Sequence, residues 1–244
     1  MKVLGIIPAR YASSRFPGKP LIDIGGKSMI QRVYEQAKKC TGLSEVVVAT
    51  DDDRIFSHVE AFGGVAVMTA DTHQSGTDRC AEVALVHPEY DVIINIQGDE
   101  PFIDPEQIGK LATCFTDKET QLATLIKRIK TEEELFNTNS PKVVVNKLSE
   151  AVYFSRSALP HIRGQEPENW LEFYTFFKHI GIYGYRADIL QQITKLPVSS
   201  LEKAESLEQL RWIENGYRIK VAETELETYA VDVPEDLLKL KFDQ

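Results

Sequence analysis

The sequence predicts an α/β fold, a mostly parallel sheet with helices on both faces. Three observations predict it. Short apolar, β-branched runs recur through the first half of the 244 residues, and amphipathic segments of helix length separate them. The runs are continuously apolar rather than alternating, as strands buried on both faces are.

The first run, "KVLGIIPA", is a buried-type strand closed by Pro8. "SMIQRVYEQAKKC" puts Met29, Ile30, Val33, Tyr34 and Ala37 on one helical face, with Ser28 as N-cap. "EVVVAT" is the second strand, "DDDRIFSHVEAFGG" a helix closed by glycines, "VAVMTA" the third strand and "TDRCAEVALVH" a helix with Thr77 as its cap. "DVIINIQ" is the fourth strand, "PEQIGKLATCF" a helix and "LATLIKRI" a further strand. From about residue 131 the rhythm changes. "KVVVNKLSEAVYFSRS" reads as two strands around a polar turn and "RGQEPENW" as a polar surface loop. "HIGIYGYR" is a strand, "ADILQQITKL" and "LEKAESLEQLRWIENG" are helices, and "YRIKVAE" returns to strand. In "VDVPEDLLKLKF", Pro234 opens a last helix. The expected organisation is one domain over 1–244 with an inserted excursion over about 131–178.

With 43% hydrophobic and 27% charged residues the chain can build a full core. It carries 28 Lys+Arg against 37 Asp+Glu, a net charge of -9, which disfavours general nucleic-acid binding. No apolar run approaches the roughly 20 residues of a membrane span, and the N-terminus reads as a strand, not a signal peptide. Cys40, Cys80 and Cys114 are far apart and read as buried free thiols of a reducing, cytoplasmic compartment.

Three stretches stand out. "GIIPARYASSRFPGKPL" gathers Arg10, Arg15 and Lys19 without a single acid, right after the first strand. In open α/β sheets ligands sit at the strands' carboxyl ends, and such cations suit phosphate oxygens. Gly18 and Pro17 shape the turn, and Ser13 and Ser14 add hydroxyls. The loop matches neither the Walker A motif nor the dinucleotide glycine fingerprint, which also argues against a nicotinamide oxidoreductase. "NIQGDEP" turns at Gly98 and projects Asp99 and Glu100 from the fourth strand, an oxygen-rich pair suited to a hard cation; a helix N-terminus is the plainer role, more so for Glu100. "HQSGTDR" offers small groups and backbone donors ahead of a helix, suited to a base or ribose, or simply to capping.

With "VYFSRSALP", "KHIGIYGYR", "SLEKAESLEQLR" and "VDVPEDL", these stretches resemble the 3-deoxy-manno-octulosonate (Kdo) cytidylyltransferases, the CMP-Kdo synthetases of Gram-negative bacteria. The likeness runs from residue 3 to about residue 238. It implies a Rossmann-like domain of the nucleotide-diphospho-sugar transferase type, a dimerising excursion, and a reaction of CTP with a 2-keto-3-deoxy sugar acid to give CMP-Kdo and pyrophosphate for lipopolysaccharide biosynthesis. By the same resemblance Arg10, Ser13 and Lys19 meet the triphosphate with Arg15 nearby, and Pro8, Ala9, Gln74, Ser75, Gly76 and Arg79 surround cytosine and ribose. Gln97, Arg156, His179, Tyr183, Glu208 and Gln209 take the sugar acid, and Asp99 and Asp232 hold Mg2+. The chain departs from the family pattern at Ser200, where proline is expected, which leaves the start of that helix open. A cytidylyltransferase for a related sugar acid and a non-catalytic nucleotide binder are the rival readings.

Overall fold

The computed structural model describes residues 1–12, 16–227 and 229–239. Strands β1 (Val3–Ala9), β2 (Glu45–Thr50), β3 (Ala66–Met68) and β4 (Val92–Asn95) alternate with helices α1 (Met29–Lys38), α2 (Asp53–Ala61) and α3 (Gly76–Val86). α4 (Pro105–Thr113) and β5 (Leu122–Arg128) follow. The excursion contributes α5 (Glu132–Phe136), β6 (Lys142–Val145), β7 (Ala151–Ser155) and α6 (Trp170–Phe173). β8 (Phe177–Arg186), α7 (Ala187–Ile193), α8 (Ser200–Glu205), α9 (Gln209–Glu214) and β9 (Ile219–Glu223) complete the order.

The sheet runs β3-β2-β1-β4-β8-β5-β9. Along this path every neighbouring pair is parallel except those of β8, which is antiparallel to both β4 and β5; off it, β6 pairs antiparallel with β7 and β8. Alternation along the strands sorts the core into two layers. Val3, Ile7, Val46, Val48, Val92 and Ile94 face α1, α2 and α4. Leu4, Ile6, Val47, Ala49 and Ile93 face α3, α7 and α9. α1 buries the five residues its periodicity selects, and Ser28 caps it by accepting from Gln31 N.

Several expectations need correction. The "RGQEPENW" segment is not a plain surface loop, because Trp170 is buried against Ile129, Leu135 and Phe176 and draws the chain into a 3-10 turn and α6. The long helix expected over "LEKAESLEQLRWIENG" is two, α8 and α9, broken at Ser206, whose φ is 53°. Ser199 caps α8 in a capping box with Glu202, so Ser200 occupies the first helical position, where proline is also favoured. The segment Pro234–Lys239 is 3-10, not α. Thr77 does not cap α3; Ser75 does. Cys40 and Cys80 are buried free thiols, but Cys40 follows the end of α1 and Cys114, at the end of α4, is only half-buried.

A small apolar cluster of Ile24, Met29 and Val231, with Phe16, Phe102 and Leu237 against it, pins the C-terminal segment beside the loop that follows β1.

Candidate active site

β1 and β4 are parallel neighbours, so the loops leaving their carboxyl ends lie side by side. After β1 the chain reverses at Gly18, in the left-handed region at φ 71°, with Gly18 N donating to Tyr11 O at 2.9 Å. That reversal turns Lys19 back into the cleft, where its Nζ lies 2.8 Å from Asp99 Oδ2 and 3.8 Å from Asp232 Oδ1. Some 130 residues separate the two carboxylates in sequence. Burial of Val231 and the bond from its N to Asp99 O, 2.9 Å, bring them to one place. Asp232 precedes the last helix, as an N-cap would, but its own N is bound by the Asp236 carboxylate and its side chain reaches towards Lys19. Arg10 points a buried Nη2 with no hydrogen-bond partner, the state expected of a guanidinium built to meet a ligand oxygen. Ser13 and Arg15 lie outside the described residues.

Gly98 lies in a turn, as expected, and it also serves a close approach. Its backbone is not in the left-handed region; instead a Cβ there would stand 2.7 Å from Pro8 O. The glycine lets the Asp99 loop pass against the end of β1. α4 starts only at Pro105 with Asp104 as cap, so neither Asp99 nor Glu100 serves a helix N-terminus.

The facing wall is the start of α3. Ser75 Oγ accepts from Asp78 N, which holds Gly76 against Pro8. Gln74 donates to Thr72 O at 2.9 Å. Arg79 is fully buried, its Nη atoms held by Asp51 (3.1 Å) and Thr69, and its Nε is unpartnered.

The third wall comes from β8 and α9. A bulge at Gly181 and Ile182 interrupts pairing with β5, and Gln97 donates to the Gly181 carbonyl at 2.8 Å. His179 packs between Phe154 and Tyr183 with Nε2 3.0 Å from Thr124 Oγ1, and burial pushes its pKa down to about 3, so the imidazole is neutral. The Tyr183 hydroxyl is buried without a partner, as is Gln209 Nε2. Burial raises the pKa of Glu208, and the bond from Thr77 Oγ1 to its Oε2, 2.7 Å, works against that rise. Glu208 and Gln209 sit at the start of α9, not mid-helix.

These walls enclose a cleft of about 730 Å³. Of the expected residues, Pro8, Ala9, Arg10, Lys19, Gln74, Ser75, Gly76, Arg79, Gln97, Asp99, Tyr183 and Glu208 line it. Asp232 joins it through Lys19, and His179 stands behind Tyr183. Arg156 and Gln209 are not in the lining. The Arg156 guanidinium donates to the carbonyls of Glu205 (2.7 Å), Thr138 (3.1 Å) and Ser206 (3.4 Å), and so ties the end of β7 to the break before Glu208. Asn95 and Tyr185 line the cleft without having been expected, and Thr77, offered by the "HQSGTDR" stretch as a small group or a cap, lines it too. Asn95, a buried polar residue closing the apolar run "VIIN", and Tyr185, two residues beyond Tyr183, carried a signal in the sequence.

Asp99 and Asp232 present two hard oxygen donors to one point of positive charge, Lys19 Nζ. Magnesium takes one or two carboxylates and fills its shell with water and phosphate oxygens, so these residues fit the ion when a triphosphate shares it. Among the described residues no group of three or more His, Cys, Asp or Glu is placed to hold a metal ion.

Residues 4–220 match the family model described as cytidylyltransferase. The chain is 62% identical over 244 residues to a 3-deoxy-manno-octulosonate cytidylyltransferase of Parabacteroides distasonis, covering 98% of this chain and 96% of the relative. It is 56% identical to that of Bacteroides thetaiotaomicron, covering 97% and 96%. A solved CMP-2-keto-3-deoxy-manno-octonic acid synthetase complexed with CTP superposes with a TM-score of 0.91 at 47% identity, covering 98% of this chain and 96% of that one. The sheet is therefore the nucleotide-diphospho-sugar transferase fold, and the chain belongs to the 3-deoxy-manno-octulosonate cytidylyltransferase, or CMP-Kdo synthetase, family.

Proposed function

We propose that this cleft joins CTP to Kdo, with the anomeric hydroxyl oxygen of the sugar acid attacking the α-phosphorus of CTP. The new O–P bond forms as the bond from that phosphorus to the pyrophosphate oxygen breaks, giving CMP-Kdo and pyrophosphate, with the hydroxyl proton lost to water. The observation that carries the reading is the meeting of Lys19 with Asp99 and Asp232 at the mouth of a cleft whose other walls are α3 and α9.

Such transfers depend on positioning and charge neutralisation more than on covalent help. Arg10 and Lys19 bind the β- and γ-phosphates and stabilise the charge that builds on the leaving group. Gln74, Ser75, Gly76 and Arg79 seat cytosine and ribose against Pro8 and Ala9. Gln97, Tyr183 and Glu208 orient the acid from the far wall, backed by the neutral His179, while Arg156 holds the approach to Glu208 and Gln209. Asp99 and Asp232 would hold magnesium, which when bound supplies Lewis acidity to a phosphate oxygen and to the attacking hydroxyl.

The excursion over 131–178 exposes Phe136, Val152, Phe173 and Tyr174, apolar surface that supports reading it as the contact of a homodimer, and sedimentation would test this. Among the described residues no helix is long and apolar enough to cross a membrane, in keeping with a cytoplasmic enzyme. The activity is tested by pyrophosphate release with CTP, magnesium and Kdo, each omitted in turn. Release should require all three. Release without a sugar acid, or equal rates with unrelated acids, would overturn the reading.

A further inference from the structure

Thr77 is the second residue of α3, directly after Gly76 on the nucleotide wall, and it is 4% exposed. Its hydroxyl is not consumed by the helix start, because Ser75 and Asp78 satisfy each other's backbone N–H groups in a capping box. Thr77 Oγ1 instead donates across the cleft to Glu208 Oε2 at 2.7 Å, between residues 131 positions apart. Both residues line the cleft, one on the nucleotide wall and the other on the acceptor wall. Glu208 is the N-cap of α9, two residues after the break at Ser206, and its side chain makes no capping hydrogen bond. We propose that Thr77 is a positioning residue for the acceptor: its hydroxyl, with the Ser75 hydroxyl also acting on the same carboxylate, fixes Glu208 to receive a hydroxyl of the sugar acid. The seating of the nucleotide wall thereby sets the geometry of the acceptor wall. This inference rests on the reading of Glu208 as an acceptor-binding residue.

Steady-state kinetics of Thr77→Val, Thr77→Ser, Glu208→Gln and the Val/Gln double variant, with melting temperatures, test it. Thr77→Val should raise the KM for Kdo about tenfold, the loss of one hydrogen bond to a charged group. The KM for CTP should stay within about twofold, as expected where only acceptor binding is lost. Thr77→Ser, which keeps the hydroxyl, should restore the wild-type value, and the double variant should be no worse than Glu208→Gln alone. If Thr77→Val does not fold, Thr77→Ala is compared with Thr77→Ser in its place. A wild-type KM for Kdo in Glu208→Gln would remove the reading of Glu208 and this inference with it. An impaired Glu208→Gln beside a normal Thr77→Val would overturn the inference alone. Equal rises in both KM values, or no rescue by serine, would make Thr77 a packing residue and overturn it too.

Discussion

Replacing Gly98 by alanine tests whether the contact between the β1 and β4 loops sets the site. The alanine Cβ would stand 2.7 Å from Pro8 O and 3.5 Å from Ile7 Cγ2. An ordinary carbon–oxygen contact is about 3.3 Å, so the two loops must part by about 0.6 Å. The obstacle is backbone, with no side chain to swing away. An added methyl in a packed position costs about 2 kcal/mol, which for a chain of this size lowers Tm by about 4–8 °C. The same movement carries Asp99 away from Arg10. Since a 1 Å misplacement can cost about a hundredfold, a loss of about tenfold in kcat/KM is expected. Gly109→Ala is the control: its Cβ would lie 3.7 Å from Cys40 Sγ, an ordinary contact inside α4, and stability should hold or rise. Thermal melts and pyrophosphate release on both variants decide the matter. A Gly98→Ala enzyme with wild-type Tm and kcat/KM would refute the close-approach argument.

Arg10→Ala and Lys19→Ala should each lower turnover by two or more orders of magnitude, the loss of a transition-state contact worth about 3 kcal/mol, measured at saturating substrates. Arg156→Ala should raise the KM for Kdo far more than that for CTP, because the carbonyls it holds lead into Glu208, and should cost about 1–2 kcal/mol in urea melts; equal effects on both substrates would leave it a purely structural role. His179 has its pKa depressed by burial from 6.5 to about 3, so between those values the unfolded chain binds the extra proton and stability falls as pH falls. Relative to a His179→Asn variant, the wild type should lose at most about 2 kcal/mol more between pH 6.5 and pH 5, and parallel stability curves would contradict that burial.

The first half of the sheet was legible because β1, β2 and β4 are short, buried, mostly apolar runs, and because α1 repeats its apolar face every third or fourth residue. The direction of β8 was not legible: "HIGIYGYR" has strand composition whichever way it runs, and only its pairing with β4 and β5 settles the sense. The break at Ser206 hid inside a sequence rich in helix formers, because a left-handed serine leaves no compositional mark. In the site, the cationic loop announced itself by charge alone. The place of Asp232 did not; it depends on Val231, one apolar residue that docks with Ile24 and Met29. Thr77 looked like a cap because Ser75, two residues earlier, has the same capping chemistry, and only the fold shows which of the two hydroxyls caps α3.

Whether Asp99 and Asp232 act together on CTP is decided by Asp232→Asn. Asparagine keeps the shape and any capping ability of the aspartate while removing its charge. Pyrophosphate release is followed against magnesium concentration for the wild type, Asp99→Asn, Asp232→Asn and the double variant, with Tm recorded for each. All four proteins should fold, magnesium-dependent turnover should be lost in both single variants, and the double variant should be hardly worse than either, since both residues would hold one ion. Wild-type rates in Asp232→Asn at saturating CTP and ordinary magnesium would contradict that joint action.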